Sequence, residues 1–175
     1  MKIFNTLFAL LLLANFQLNA QSTNVRVYQM MQEKCVSCHG NSSPEAGLDL
    51  IGTGATEVQR ALSVRNTLVN QTPDNSVAAA AGYKLVAPGR VDQSHLFRKI
   101  NAGLESTINL NETEEGTPCP KPGSEAMTDV EKEMFRQWIL YGAKATGTQV
   151  SESMIEDYYT NGGIEAFPDG APAAP

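Results

Sequence analysis

Residues 35–39 read Cys-Val-Ser-Cys-His, and the chemistry assigned to this stretch decides how the rest of the 175-residue chain is read. It puts two thiols and an imidazole within five positions of a chain that holds three cysteines and two histidines in all. Three chemistries compete for such a cluster. A redox dithiol of C-x-x-C type opens a helix that follows a strand, yet the segment before Cys35 has a helical pattern and no strand-helix-strand unit is visible. A structural zinc takes four ligands, and only Cys119 and His95 remain, each remote and single. Covalent haem attachment needs this arrangement and nothing more. Two thiols three residues apart reach the two vinyl groups of a porphyrin, and the next residue, His39, lies beneath the iron as its proximal ligand.

Upstream, Lys2 precedes an apolar run rich in leucine, followed by a more polar stretch ending at Ala20. That is the layout of a secretory signal peptide over residues 1–20, too short to span a bilayer. No cysteine follows it, so a lipid anchor at the mature N-terminus is not indicated. The expected mature protein is exported or periplasmic and is not inserted in the membrane. Export agrees with haem attachment, because bacterial haem c is added after export. An oxidising compartment normally pairs cysteines, and an odd number leaves at least one with another task. The signal carries Lys2 and no acid, so its removal takes the formal charge from −6 to −7. A chain this acidic repels nucleic acid and anionic lipid.

Downstream, periodicity predicts helices and no strands of useful length. Asn24 is expected to cap a first helix running into Cys35. Thr56-x-x-Gln59 forms a capping box for a second, with Val58, Ala61, Leu62, Leu68 and Val69 inward. A turn at VAPGR leads to a helix over residues 93–103 with Leu96, Phe97 and Ile100 inward. The stretch EEGTPCPKPGSEA carries three prolines and two glycines and is expected to be irregular. Thr128-x-x-Glu131 caps the strongest helix, whose apolar face is Val130, Met134, Phe135, Trp138 and Ile139, with Gly142 as its stop. A last helix is expected over 153–160, ended by Asn161-Gly162-Gly163 and followed by a Pro/Ala-rich tail. The domain reading is therefore residues 21–146 for the core domain and 147–175 for a C-terminal extension.

In order and motif, the chain resembles the class I c-type cytochromes, and is most similar to the planctomycete-type cytochrome c module. The matching pieces are CVSCHG, GLDL, VAPGRVDQSHLFRKI and MTDVEKEMFRQWILYGA, spanning roughly residues 28–145. The resemblance implies an all-α fold, a small helical domain wrapped around one covalently bound haem c, with its terminal helices crossing near the haem edge. It implies single-electron transfer between redox protein partners, and an electron carrier rather than an enzyme. Cys35 and Cys38 would be the thioether sites, His39 the proximal iron ligand, and Trp138 a residue packed close to the haem. SMIEDYYTNGGIEAFP resembles stretches that follow such modules when they feed larger exported oxidoreductases.

The family's usual distal ligand is a methionine in a Met-Pro pair in the loop before the C-terminal helix. This chain has Thr117-Pro118-Cys119-Pro120 there. Four candidates stand, in this order. Cys119 occupies the matching place, and a thiolate would lower the potential relative to methionine; its other readings are a free buried thiol or an intermolecular disulfide. Met127 directly precedes the Thr128 cap, where an apolar residue packs back as a staple. An open site is third. His95 is last, read as a surface or capping histidine. The missing Met-Pro pair also keeps open a haem-based sensor or ligand-binding module with an opening distal site. A peroxidase would need a distal acid-base group that only His95 could supply. The acidic runs near 112–115 and 152–157 read as solvated faces.

Overall fold

The computed structural model of the chain describes residues 22–40 and 42–161. The expected signal peptide, Asn41, the Gly162-Gly163 stop and the Pro/Ala-rich tail lie outside the described residues. Among those described the structure is all-α, as the periodicity predicts. Eight helical segments are present: α1 (Thr23–Lys34), α2 (Val36–His39), α3 (Glu57–Leu68), α4 (Ser76–Ala80), α5 (His95–Ile100), α6 (Glu112–Glu115), α7 (Asp129–Leu140) and α8 (Glu152–Asn161). Short 3-10 turns occupy Glu45–Gly47 and Val91–Gln93. Among the described residues, β pairing appears as two isolated bridges, Val69 with Val86 and Lys84 with Ser94.

Both predicted capping boxes are formed. The Thr56 hydroxyl accepts from the Gln59 amide at 3.2 Å while the Gln59 side chain reaches back to the Thr56 amide at 3.1 Å. At α7 the Thr128 hydroxyl accepts from the Glu131 amide at 3.2 Å and Glu131 returns the bond at 2.7 Å. Each box satisfies two amides that a helix start otherwise leaves orphaned. α7 ends as Gly142 predicts, with φ +90 there. The Ala143 amide bonds the Trp138 carbonyl at 2.8 Å and the Gly142 amide bonds the Ile139 carbonyl at 2.9 Å, which is a Schellman closure.

Three local expectations are corrected. α1 is capped by Ser22, whose hydroxyl accepts from the Val25 amide at 3.3 Å, and Asn24 is buried inside the helix. The helix begins earlier because Thr23 is tied to the end of the fold. Its amide donates to the Gly147 carbonyl at 3.1 Å, and its hydroxyl accepts from the amides of Gln149 and Val150 at 2.9 and 3.2 Å. On α3 the inward stripe is Ala61, Val64 and Leu68, at spacings of three and four. Val58 and Leu62 point outward, 60% and 41% exposed, and Val69 has already left the helix. α5 is shorter than expected because Val91–Gln93 forms its own turn and the helix starts at His95.

The core lies where α1 packs against α3 and α7, with α5 and α8 also against α7. Its largest fully buried side chains are Trp138, Phe97 and Phe135. At roughly 1.5–3 kcal/mol for each large apolar side chain removed from water, these side chains dominate the stabilisation. Residues beyond 146 join the same core: Val150 and Ile155 are buried, and Glu152 forks onto Arg26 of α1 at 2.7 to 3.0 Å. No helix among the described residues is long and apolar enough to cross a membrane.

Candidate functional site

The sequence folds residues 35–40 as the corner where α1 ends. Cys35 closes α1, its amide bonding the Met31 carbonyl at 2.9 Å, and its own carbonyl then accepts the Cys38 and His39 amides at 3.2 and 2.9 Å. Cys35, Cys38 and His39 therefore share one tight turn. All three cysteines of the chain are free thiols and all are half-buried. Gly40 is required next. A Cβ there would sit 2.6 Å from Val36 Cγ1 and 2.8 Å from the Val36 carbonyl oxygen, because the chain doubles back against the turn.

The returning chain is pinned to α1 and to the turn. The Leu50 amide donates to the His39 carbonyl at 2.7 Å, the Gln32 amide group to the Leu50 carbonyl at 2.7 Å, and the Tyr28 hydroxyl to the Ile51 carbonyl at 2.9 Å. This delivers Glu45 to His39. The imidazole Nδ1 lies 3.1 Å from the Glu45 carbonyl oxygen, to which its N–H donates. The Glu45 carboxylate meets the Lys121 ammonium at 2.5 Å, and that bond holds Glu45 below the usual carboxylate range.

Lys121 lies two residues beyond Cys119, so the structure brings the third cysteine towards the corner that holds Cys35, Cys38 and His39. Burial pushes the Cys35 thiol up to about 12, and the charges of Cys119 and Cys38 add to it. The Cys119 thiol is also raised, first by burial, with Lys99 opposing the shift and Glu45 and Cys38 adding to it. Both shifts favour the neutral thiol at Cys35 and Cys119.

Cys119 is set by a segment running alongside α5. The ring of His95 is held by the Glu115 backbone. Arg98 forks onto the Glu115 carboxylate, Nε to Oε2 at 2.7 Å, and stacks over Tyr83 with its guanidinium carbon 4.6 Å from the ring centroid. Both charged side chains are largely buried, so the pair is worth most when intact and costly to break. Further along, the Lys99 carbonyl accepts the Cys119 amide at 2.9 Å and its ammonium donates to the Thr117 carbonyl at 2.8 Å.

The other two distal candidates are also placed. Met127 is buried in the core cluster immediately before the Thr128 cap. His95 is a correction: it is 5% exposed, and the position before the helix is held by Ser94. It is neither a surface nor a capping residue, because the Glu115 backbone lies against its ring. Its Nε2 is buried without a hydrogen-bond partner.

The donor chemistry of this corner could hold a flat group through two thioethers and one imidazole nitrogen. The donor set is two thiols and an imidazole on one turn, with Nδ1 already engaged. Val36, Leu48, Leu85, Leu96 and Val130 pack on the core yet stay half-buried. Among the described residues no three His, Cys, Asp or Glu side chains converge to hold a bare metal ion. Sequence reasoning missed Glu45 and Lys99. Glu45 lies six residues after His39 in a stretch read only as loose, and nothing in the sequence marks Lys99. Comparison with protein-family models, curated proteins and solved structures finds no match to this chain.

Proposed function

We propose that this chain is an exported single-haem c-type cytochrome that carries single electrons between redox partners. The observation that carries the reading is the hydrogen bond from His39 Nδ1 to the Glu45 carbonyl, directly behind two free thiols. It fixes the tautomer with the lone pair on Nε2, the atom an iron would take, and orients the ring as supporting hydrogen bonds to ligating histidines do. Cys35 and Cys38 would hold the macrocycle through thioethers and His39 would be the proximal ligand. Cys119, brought to the same corner, would be the distal ligand.

When bound, the haem supplies a one-electron couple whose potential follows its axial ligands and surroundings. The chain does the rest. The Glu45 carbonyl holds the imidazole, the half-buried apolar side chains exclude water, and Lys99 and Lys121 hold the segment bearing Cys119. An imidazole oriented in this way would move little when charge changes, which suits electron transfer. A thiolate at Cys119 would favour the ferric state. A haem-based sensor is the second reading, favoured because residues 116–127, which bear Cys119, lie outside any helix.

The test is the spectrum of the purified holoprotein. A pyridine haemochrome with the c-type thioether signature is expected, and haem that extracts without covalent linkage would overturn the proposal. Cys119→Ser should change the ferric spectrum. A wild-type ferric protein that is high-spin and binds cyanide at once would favour the sensor.

A further inference from the structure

Beyond Glu115, which meets His95 and Arg98, the segment bearing Cys119 is bonded twice to Lys99 of α5. Lys99 accepts the Cys119 amide with its own carbonyl at 2.9 Å, and with its ammonium it donates to the Thr117 carbonyl at 2.8 Å. The chain between wraps closely. Gly116 has φ +82, and a Cβ there would lie 3.0 Å from the Lys99 ammonium. The ammonium is half-buried in this wrap, and burial holds it below its ordinary value while the Cys119, Glu115 and Glu112 charges oppose that shift. Beyond Cys119 the chain is held by the exposed ion pair between Lys121 and Glu45, a kind that contributes little, and further on by Glu125 on Lys34 of α1. The bonds made at Cys119 itself and at Thr117 both come from the α5 side.

We infer that Lys99 is the positioning residue for Cys119: its side chain closes the 116–119 segment over the end of α5 and sets how often that cysteine leaves its place. The inference rests on the reading of Cys119 as the distal ligand, and it assigns to Lys99 control over whether the distal side is closed or open. The backbone bond from Cys119 is the same whatever the side chain at 99, so the side-chain bond to Thr117 is the variable part. A charged donor to a carbonyl is among the stronger hydrogen bonds, and its loss frees the segment to open.

Iodoacetamide and cyanide read this opening in the full-length holoprotein. With Cys35 and Cys38 in thioethers, Cys119 is the remaining thiol, so its alkylation rate reports how often it leaves the iron. Lys99→Met is expected to raise both the alkylation rate and the ferric cyanide-binding rate about tenfold. Lys99→Arg, which keeps a charged donor, is expected to restore both, a rescue that a packing role would not show. Alkylation of Lys99→Met and Lys99→Gln at the wild-type rate would overturn the inference. Cys119→Ser separates the two layers: an unchanged ferric spectrum removes Cys119 as ligand, while the alkylation rates of the Lys99 variants still decide the clamp.

Discussion

Glu45 joins two parts of the Cys35–His39 corner. Its carbonyl accepts a hydrogen bond from His39 Nδ1, and its carboxylate pairs with Lys121, two residues beyond Cys119. Any shift of the Glu45–Gly47 turn therefore reaches the imidazole and the cysteine segment together. His95 makes the other argument at this scale. Burial lowers its pKa from the ordinary 6.5, Lys99 and Arg98 add to the lowering, and Glu115 opposes it. Between the folded value and 6.5 the unfolded chain binds more protons at this ring than the folded one. Stability is thus expected to fall as pH drops through that window, with the loss complete below the folded value. Urea midpoints measured across the window should show the slope in wild type and a flatter one in His95→Gln. An equal slope in both would remove His95 as its source.

α7 is the element on which the fold turns, and its ends and its faces were not equally legible. The capping box at Thr128 and the stop at Gly142 involve residues within a few positions of one another, so local sequence specifies them. Its polar face is different. Lys132, Glu133, Arg136 and Gln137 are all buried, and a helical pattern alone would leave them in water. They are covered because α8 packs on α7, and the charges are matched internally. Arg136 forks onto Glu133 at 2.7 and 2.9 Å, and the Gln137 amide group joins at 2.7 Å. α8 is therefore a structural layer of the core, with Ile155 fully buried beneath it. Ile155→Ala is expected to cost about 3 kcal/mol, the usual range for a buried large-to-small change. Equilibrium urea unfolding measures this, and a cost near zero would mean that α8 does not hold the core.

Across the whole molecule, the two ends of the described chain meet. Thr23 at the start of α1 binds the backbone of residues 147–150, and Arg26 forks onto Glu152 at the start of α8. Helices tied at both ends to one core should unfold together. Trp138 is the only tryptophan and is buried at the α1–α7 contact, so its fluorescence reports the centre while far-UV dichroism reports all helices. The two urea transitions are expected to coincide. Separate transitions would instead make the segment beyond 146 an independent unit.

Sequence by itself determined what depends on near neighbours. The helical class, both capping boxes, the glycine stop and the sharing of one turn by Cys35, Cys38 and His39 follow from spacings of three to five residues and from backbone hydrogen bonding. Tertiary structure decided what depends on who lies opposite. It chose Ala61, Val64 and Leu68 over Val58 and Leu62 as the inner face of α3, since several faces of that helix offer apolar groups and only packing selects one. It buried His95 under a segment twenty residues away, set Glu45 behind His39, and brought Cys119 to Cys35 and Cys38 by way of Lys99 and Lys121. None of these pairings has a local signal. Each is settled by which surfaces exclude water from one another when the chain closes.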